Sequence, residues 1–253
     1  MTRSGYRNTA DSDLTVDQSI PWKRLYIEAG AIVASILLAF AIDAWWAERL
    51  DRIAEREELL RLYEEFELNR ERIDFWVKDG GLVHRERQSA LRVSDALDAA
   101  FKNDLKSALI RDVDIAAMMQ TPTFEANTPV FESLVRSGRM EIIENREIVN
   151  AISTWERTLR GASEIEQRGV RFVYDQLLPA LSNNNIRHIL LNQHPSLAVS
   201  LDPDAVTEIR VDPLIVNLSA QRSMQIDHIH RSLTGVRDSA DHAMTAISEF
   251  VDR

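Results

Sequence analysis

Residues 25–46, LYIEAGAIVASILLAFAIDAWW, form an apolar run that continues without a break into the charged stretch ERLDRIAEREELLRLYEEFELNRER. As a helix these 22 residues measure roughly 33 Å, enough to cross a hydrocarbon core of about 30 Å. The strictly uncharged part, 29–42, is only 14 residues and would also suit a buried core helix. The flanks carry the argument. Trp22 and Tyr26 stand at one end and Trp45 and Trp46 at the other, where amphipathic rings favour the lipid headgroup zone. Lys23 and Arg24 precede the run, and Arg49 and Arg52 follow it. The sequence predicts a transmembrane helix over 22–47, with membrane lipid as its partner.

Two acids interrupt this apolar segment. Glu28 and Asp43 lie close to four helical turns apart, and Ala31, Ser35 and Ala39 fall between them on the same stripe. Small residues at such spacing let transmembrane backbones approach, because lipid offers no hydrophobic drive for helices to associate. The stripe predicts a homo-oligomer. One reading rests both acids in the membrane interfaces, solvated or paired with Lys23, Arg24 or Arg49. Another places Glu28 or Asp43 in a shared interior, serving an ion or proton path. A third takes Ala39-Phe40-Ala41 as a secretory cleavage site; Glu28 inside the run and the helical pattern through the cut oppose it.

The rest of the chain reads as helical. Eight Gly and seven Pro in 253 residues argue against a loop-rich or all-β protein. Residues 1–21 read as a disordered polar tail, and 48–253 as a helical domain outside the membrane. Leu50, Ile53, Leu60 with Leu59, Tyr63, Phe66 and Ile73 suggest an apolar stripe on a helix that ends at Asp79-Gly80-Gly81. Further helices are expected over 82–101, 104–119, 129–135, 146–178, 186–192 and from Pro213 nearly to Arg253. Asn145 and Asp212 are the expected N-caps of two of them. Ile148, Ile152, Trp155, Leu159 and Ala162 mark one core stripe; Ile226, Ile229, Leu233, Val236, Ala240, Ala243 and Ile247 mark another. The expected fold class is all-α: a single N-terminal transmembrane helix continuing into an elongated antiparallel helical bundle.

Two blocks carry a resemblance. Glu28, the run AGAIVASILLAFAI, Asp43-Ala44-Trp45 and Glu48-Arg49 form the first; FESLVRSGRMEIIENREIVNAISTWE, 131–156, forms the second. Together they resemble a widespread bacterial family of uncharacterised single-pass membrane proteins. The likeness covers roughly 22–70 and 120–165, and departs at Asp43, where the family commonly has Asn. It implies an uncleaved anchor with a helical domain outside the membrane, and it supplies no reaction.

Chemical motifs are sparse. The chain contains no Cys, which excludes disulfides, thiolate metal sites and cysteine nucleophiles. No P-loop, Rossmann glycine motif, G-x-S-x-G elbow or HExxH motif is present. His228 and His230 point about 200° apart on a helix and cannot share one ion unaided. A net charge of −10 argues against nucleic acid as a main partner. The sequence thus predicts no enzyme, cofactor or metal. It predicts an oligomeric scaffold, sensor or interaction protein of the bacterial inner membrane, with an unidentified envelope protein as a further partner. An oligomeric channel or ion-coupled assembly using Glu28 and Asp43 is the alternative. Basic residues are nearly balanced across the span, and the short N-terminal tail favours a cytoplasmic N-terminus with a periplasmic domain.

Overall fold

The computed structural model describes residues 22–192 and 202–252. The predicted tail, His194-Pro195 and the side chain of Trp22 lie outside the described residues. The fold is all-α with one small sheet among the described residues. Helix α1 spans Trp22–Val77, α2 Leu82–Lys102, α3 Asp112–Met119, α4 Pro129–Ser137, α5 Arg146–Phe172, α6 Leu178–Leu181, α7 Arg187–Asn192 and α8 Pro213–Val251. Strands β1 (Ser107–Arg111) and β2 (Val206–Arg210) pair antiparallel, with Ile110 opposite Thr207. The chain divides into two compact units between Arg52 and Ile53. In the first, every described side chain from Tyr26 to Arg52 is exposed.

In the second unit, Ile53–Arg253, the long helix α8 packs against α2 and α5 and makes polar contacts with the last turns of α1. On the α1 side, Arg70 meets Asp241 at 3.7 Å, Arg237 meets Asp74 at 3.5 Å, and His230 Nε2 donates to the Val77 carbonyl at 3.1 Å. On the α2 side, Arg87 donates to Asp227 at 2.8 Å and the Ser223 hydroxyl to the Ala90 carbonyl at 2.9 Å. On the α5 side, the Thr158 and Ser239 hydroxyls lie 2.9 Å apart, and Gly169 packs against Ile229. In each case rising numbers on the partner meet falling numbers on α8. So α1 and then α2 run along α8 in succession, α5 runs beside it, and all three oppose its direction. The expected antiparallel packing holds against α8, while α1 and α5 run the same way as each other.

Local chemistry explains the boundaries. The Asn145 side chain accepts from the Glu147 and Ile148 amides, and that of Asp212 from the Ile215 amide, satisfying donors that a helix start leaves orphaned. Gly138 adopts φ +71°, which ends α4 without a Cβ penalty. The expected stripes on α5 and α8 are buried, apart from half-buried Leu159; Trp155 sits at 0 % exposure, with the Phe66 ring 4.7 Å and the Phe131 ring 5.6 Å away.

Three expectations are corrected. On α1, the expected Leu59, Phe66 and Ile73 are buried, joined by Leu62 and Val77, but Leu50, Ile53 and Leu60 are exposed. This helix carries apolar residues on more than one side, so periodicity alone does not select the core face. The helix expected over 104–119 begins only at Asp112. Asp104 turns left-handed at φ +53°, and 107–111 become β1 because a strand nearly a hundred residues later pairs with them. Finally, helical backbone continues through Pro179 to Leu181. A π-helical turn at Val173–Leu177 widens the backbone just before the proline, which otherwise clashes with the carbonyl one turn back.

Candidate functional site

The residues singled out in the apolar segment share the exposed surface of α1. Glu28, Ala31, Ser35, Ala39 and Asp43 are all exposed, and the Ser35 hydroxyl donates to the Ala31 carbonyl at 2.8 Å. That bond satisfies the only hydroxyl of the stripe inside its own helix. Tyr26, Trp45 and Trp46 are also exposed; the two Trp rings lie 6.0 Å apart, and the Arg49 guanidinium sits 5.9 Å over Trp45. The most apolar 18 residues have a mean hydropathy of 2.0 and are wholly unburied. By length and composition α1 is able to cross a membrane.

In the second unit, polar side chains of α1 hold the segment 127–144. Glu55 accepts from the Glu144 amide at 3.0 Å, and Glu58 pairs with Arg139 at 2.7 Å. Glu65 accepts from the Val130 and Phe131 amides at 2.6 and 3.1 Å, capping the start of α4. Burial pushes the Glu65 carboxyl up, against the pull of those two amides. Asn69, fully buried, accepts from the Asn127 amide at 2.8 Å and donates to the Asn127 carbonyl at 2.7 Å. The stretch 55–69 of α1 is thus hydrogen-bonded to the stretch 127–144.

Deeper in the unit lie three ionisable groups unannounced by any motif. Arg222 is at 0 % exposure; its Nε donates to the Met118 carbonyl at 2.9 Å and its Nη2 to that of Gln120, while Nη1 has no partner among the described residues. Glu86 is at 2 % exposure, not in ion-pair contact with Arg222, and one of its carboxyl oxygens has no partner. Burial pushes the Glu86 carboxyl up to about 8, although Arg222 and Arg85 pull the other way. Burial likewise takes Arg222 down to about 10. Glu166 accepts from the Phe124 amide at 3.1 Å, and its burial raises it to about 7. A Cβ on Gly169 would stand 3.4 Å from Arg222 Nη1, so the missing side chain gives the guanidinium room.

Glu86 also lines a cavity of about 670 Å³ shared by α2, β1 and α3. Arg85, Arg92, Arg111 and Asp114 lie on the same wall, with apolar Leu82 and Val113. Burial alone would raise Asp114, but hydrogen bonds from Arg92, Ser89 and Arg111 hold its carboxyl below the usual range. Arg92 meets it at 2.5 Å and Arg111 at 2.8 Å. Nearby, buried Asp112 accepts from the Thr207 hydroxyl at 2.7 Å and contacts His188 Nε2 at 2.6 Å, tying α3 to β2 and α7. Among the described residues, no group of His, Asp and Glu is arranged to hold a metal ion.

The buried charges had a legible signal. Glu86 occupies a place in the stripe Val83, Ala90, Val93, Leu97; Arg222 falls between Leu218 and Ile226; and Glu166 follows Ala162 by one turn. A charge inside an apolar stripe marks a buried, functional or paired group.

No protein-family model, curated protein or solved structure matches the chain. The family resemblance rests on the residues of the two blocks alone.

Proposed function

We propose that this chain is a membrane-anchored helical interaction or sensor protein of the bacterial inner membrane, acting by binding rather than by catalysis. The observation that carries the reading is the unbroken exposed row on α1: Ile27, Ile32, Val33, Ile36, Leu37, Leu38, Phe40 and Ile42 are each at least half exposed. So large a contiguous apolar surface is costly in water and favourable in lipid. Aromatic rings at Tyr26, Trp45 and Trp46 suit the two interfaces. Self-association through Ala31, Ser35 and Ala39, and a periplasmic helical domain, complete the proposal. Its test is membrane fractionation of the native protein with protease treatment of spheroplasts. A full-length, carbonate-resistant chain whose large domain is digested from outside supports it. A soluble chain starting near Ile42, or a domain shielded from external protease, refutes the anchor or the orientation respectively. Leu at Ala31, Ser35 and Ala39 together is expected to shift the detergent-solubilised particle to a smaller mass, and an unchanged mass refutes the self-association.

A further inference from the structure

The chain is strongly acidic overall, with a net charge of −10, yet the cavity shared by α2, β1 and α3 has the opposite sign. Three guanidiniums, from Arg85, Arg92 and Arg111, line it against one ion-paired carboxylate, Asp114. Arg92 and Arg111 both spend their Nε and Nη2 groups on Asp114 or Ser89, and neither Nη1 has a partner among the described residues. Arg85 is exposed and likewise makes no ion pair among the described residues. His84, also on the wall, faces Asp79 at 3.5 Å. A concave, locally positive surface on an acidic protein focuses anions from solution.

Glu86 gives the cavity its second feature. It is nine-tenths buried and more, it lines the cavity, and one carboxyl oxygen is enclosed without a partner. Buried polar groups in native folds are otherwise satisfied, and each exception calls for an explanation. Leu82, Val113, Ala116 and Ala117 supply apolar wall beside it, the mixture expected of a small-molecule site of this volume.

We propose that this cavity binds a small organic carboxylate with an apolar body, its acid group meeting the guanidiniums of Arg85, Arg92 and Arg111 and accepting a hydrogen bond from Glu86. Burial holds the Glu86 carboxyl protonated at neutral pH, which equips it as the donor and leaves Asp114, ion-paired with Arg92 and Arg111, as the carboxylate charge on the wall. The Arg85 fork matches a carboxylate in shape as well as in charge, while Arg92 and Arg111 offer their Nη1 groups. The site is wholly within the second unit, so the proposal stands or falls independently of the membrane anchor.

The test is calorimetric titration of the detergent-solubilised full chain with benzoate, against benzylamine and benzyl alcohol as cationic and neutral probes of similar shape. Benzoate is expected to bind saturably, with the other two much weaker. Arg85→Gln, a surface change with no ion pair to break, is expected to weaken benzoate about tenfold, the loss of one charge-assisted hydrogen bond, with unaltered thermal unfolding. Glu86→Gln keeps a donor at the same place and should retain binding, whereas Glu86→Ala should lose it while the unfolding transition stays cooperative. Tighter binding of benzylamine, loss of binding in Glu86→Gln, indifference to Arg85→Gln, or no saturable binding of benzoate at millimolar concentration each overturns the proposal.

Discussion

Glu86→Gln keeps the size of the side chain and removes its titration, which turns a buried carboxyl into a measurable slope. The folded protein holds this carboxyl at about 8, against its ordinary 4.5, chiefly because burial penalises the charge. Below 4.5 both folded and unfolded chains are protonated there and the group adds no pH dependence. Between 4.5 and 8 the unfolded chain releases the proton while the folded chain keeps it, so stability falls as pH rises. The loss is about 1.4 kcal/mol per pH unit and accumulates to roughly 5 kcal/mol by pH 8. Glu166, raised to about 7, adds a fall of the same sign in both proteins and cancels from the comparison. The assay is denaturant unfolding of the full chain in one detergent across this pH range, followed by Trp fluorescence with the buried Trp155 as reporter. The two proteins should coincide near pH 5, and the variant should be several kcal/mol more stable near pH 8. Parallel curves would mean that Glu86 is ionised or solvated in the native state, and the account of its burial would be wrong.

Asn69→Ala removes both hydrogen bonds to Asn127 and leaves a buried peptide unsatisfied, so a loss of about 2–4 kcal/mol is expected in the same unfolding assay. Asn145→Ala removes the N-cap of α5 and should cost about 1 kcal/mol, with the midpoint shifted and the cooperativity retained.

Local chemistry was the most readable layer of this chain. Caps at Asn145 and Asp212 and the stop at Gly138 follow from a few neighbouring atoms, and the α8 stripe follows from a single period. Elements decided by distant partners were not readable. Residues 107–111 carry no strong strand signal, and they extend because Val206–Arg210 is there to pair with them. The face of α1 that is buried depends on where α5 and α8 lie, which no window of α1 contains. Most of the candidate site was missed for a different reason. Glu86, Arg222 and Glu166 stand within apolar stripes, but a motif search looks for chemistry between polar neighbours and passes over a charge among hydrophobic ones. The stripe from Glu28 to Asp43 was visible as a pattern, while the satisfaction of Ser35 by the Ala31 carbonyl needed coordinates.

Helix α8 comes after every one of its partners in the chain, and a ribosome makes proteins in that order. Helices α2 and α5 therefore leave the ribosome with the faces they turn to α8 bare until that helix arrives. The contacts it closes span up to about 170 residues of sequence, as between Arg70 and Asp241. Contacts so distant in sequence slow folding and leave sticky surface open in the meantime. This domain is thus vulnerable during biogenesis in a way its finished core does not reveal, and a nascent chain halted before α8 is a natural client for chaperones and proteases.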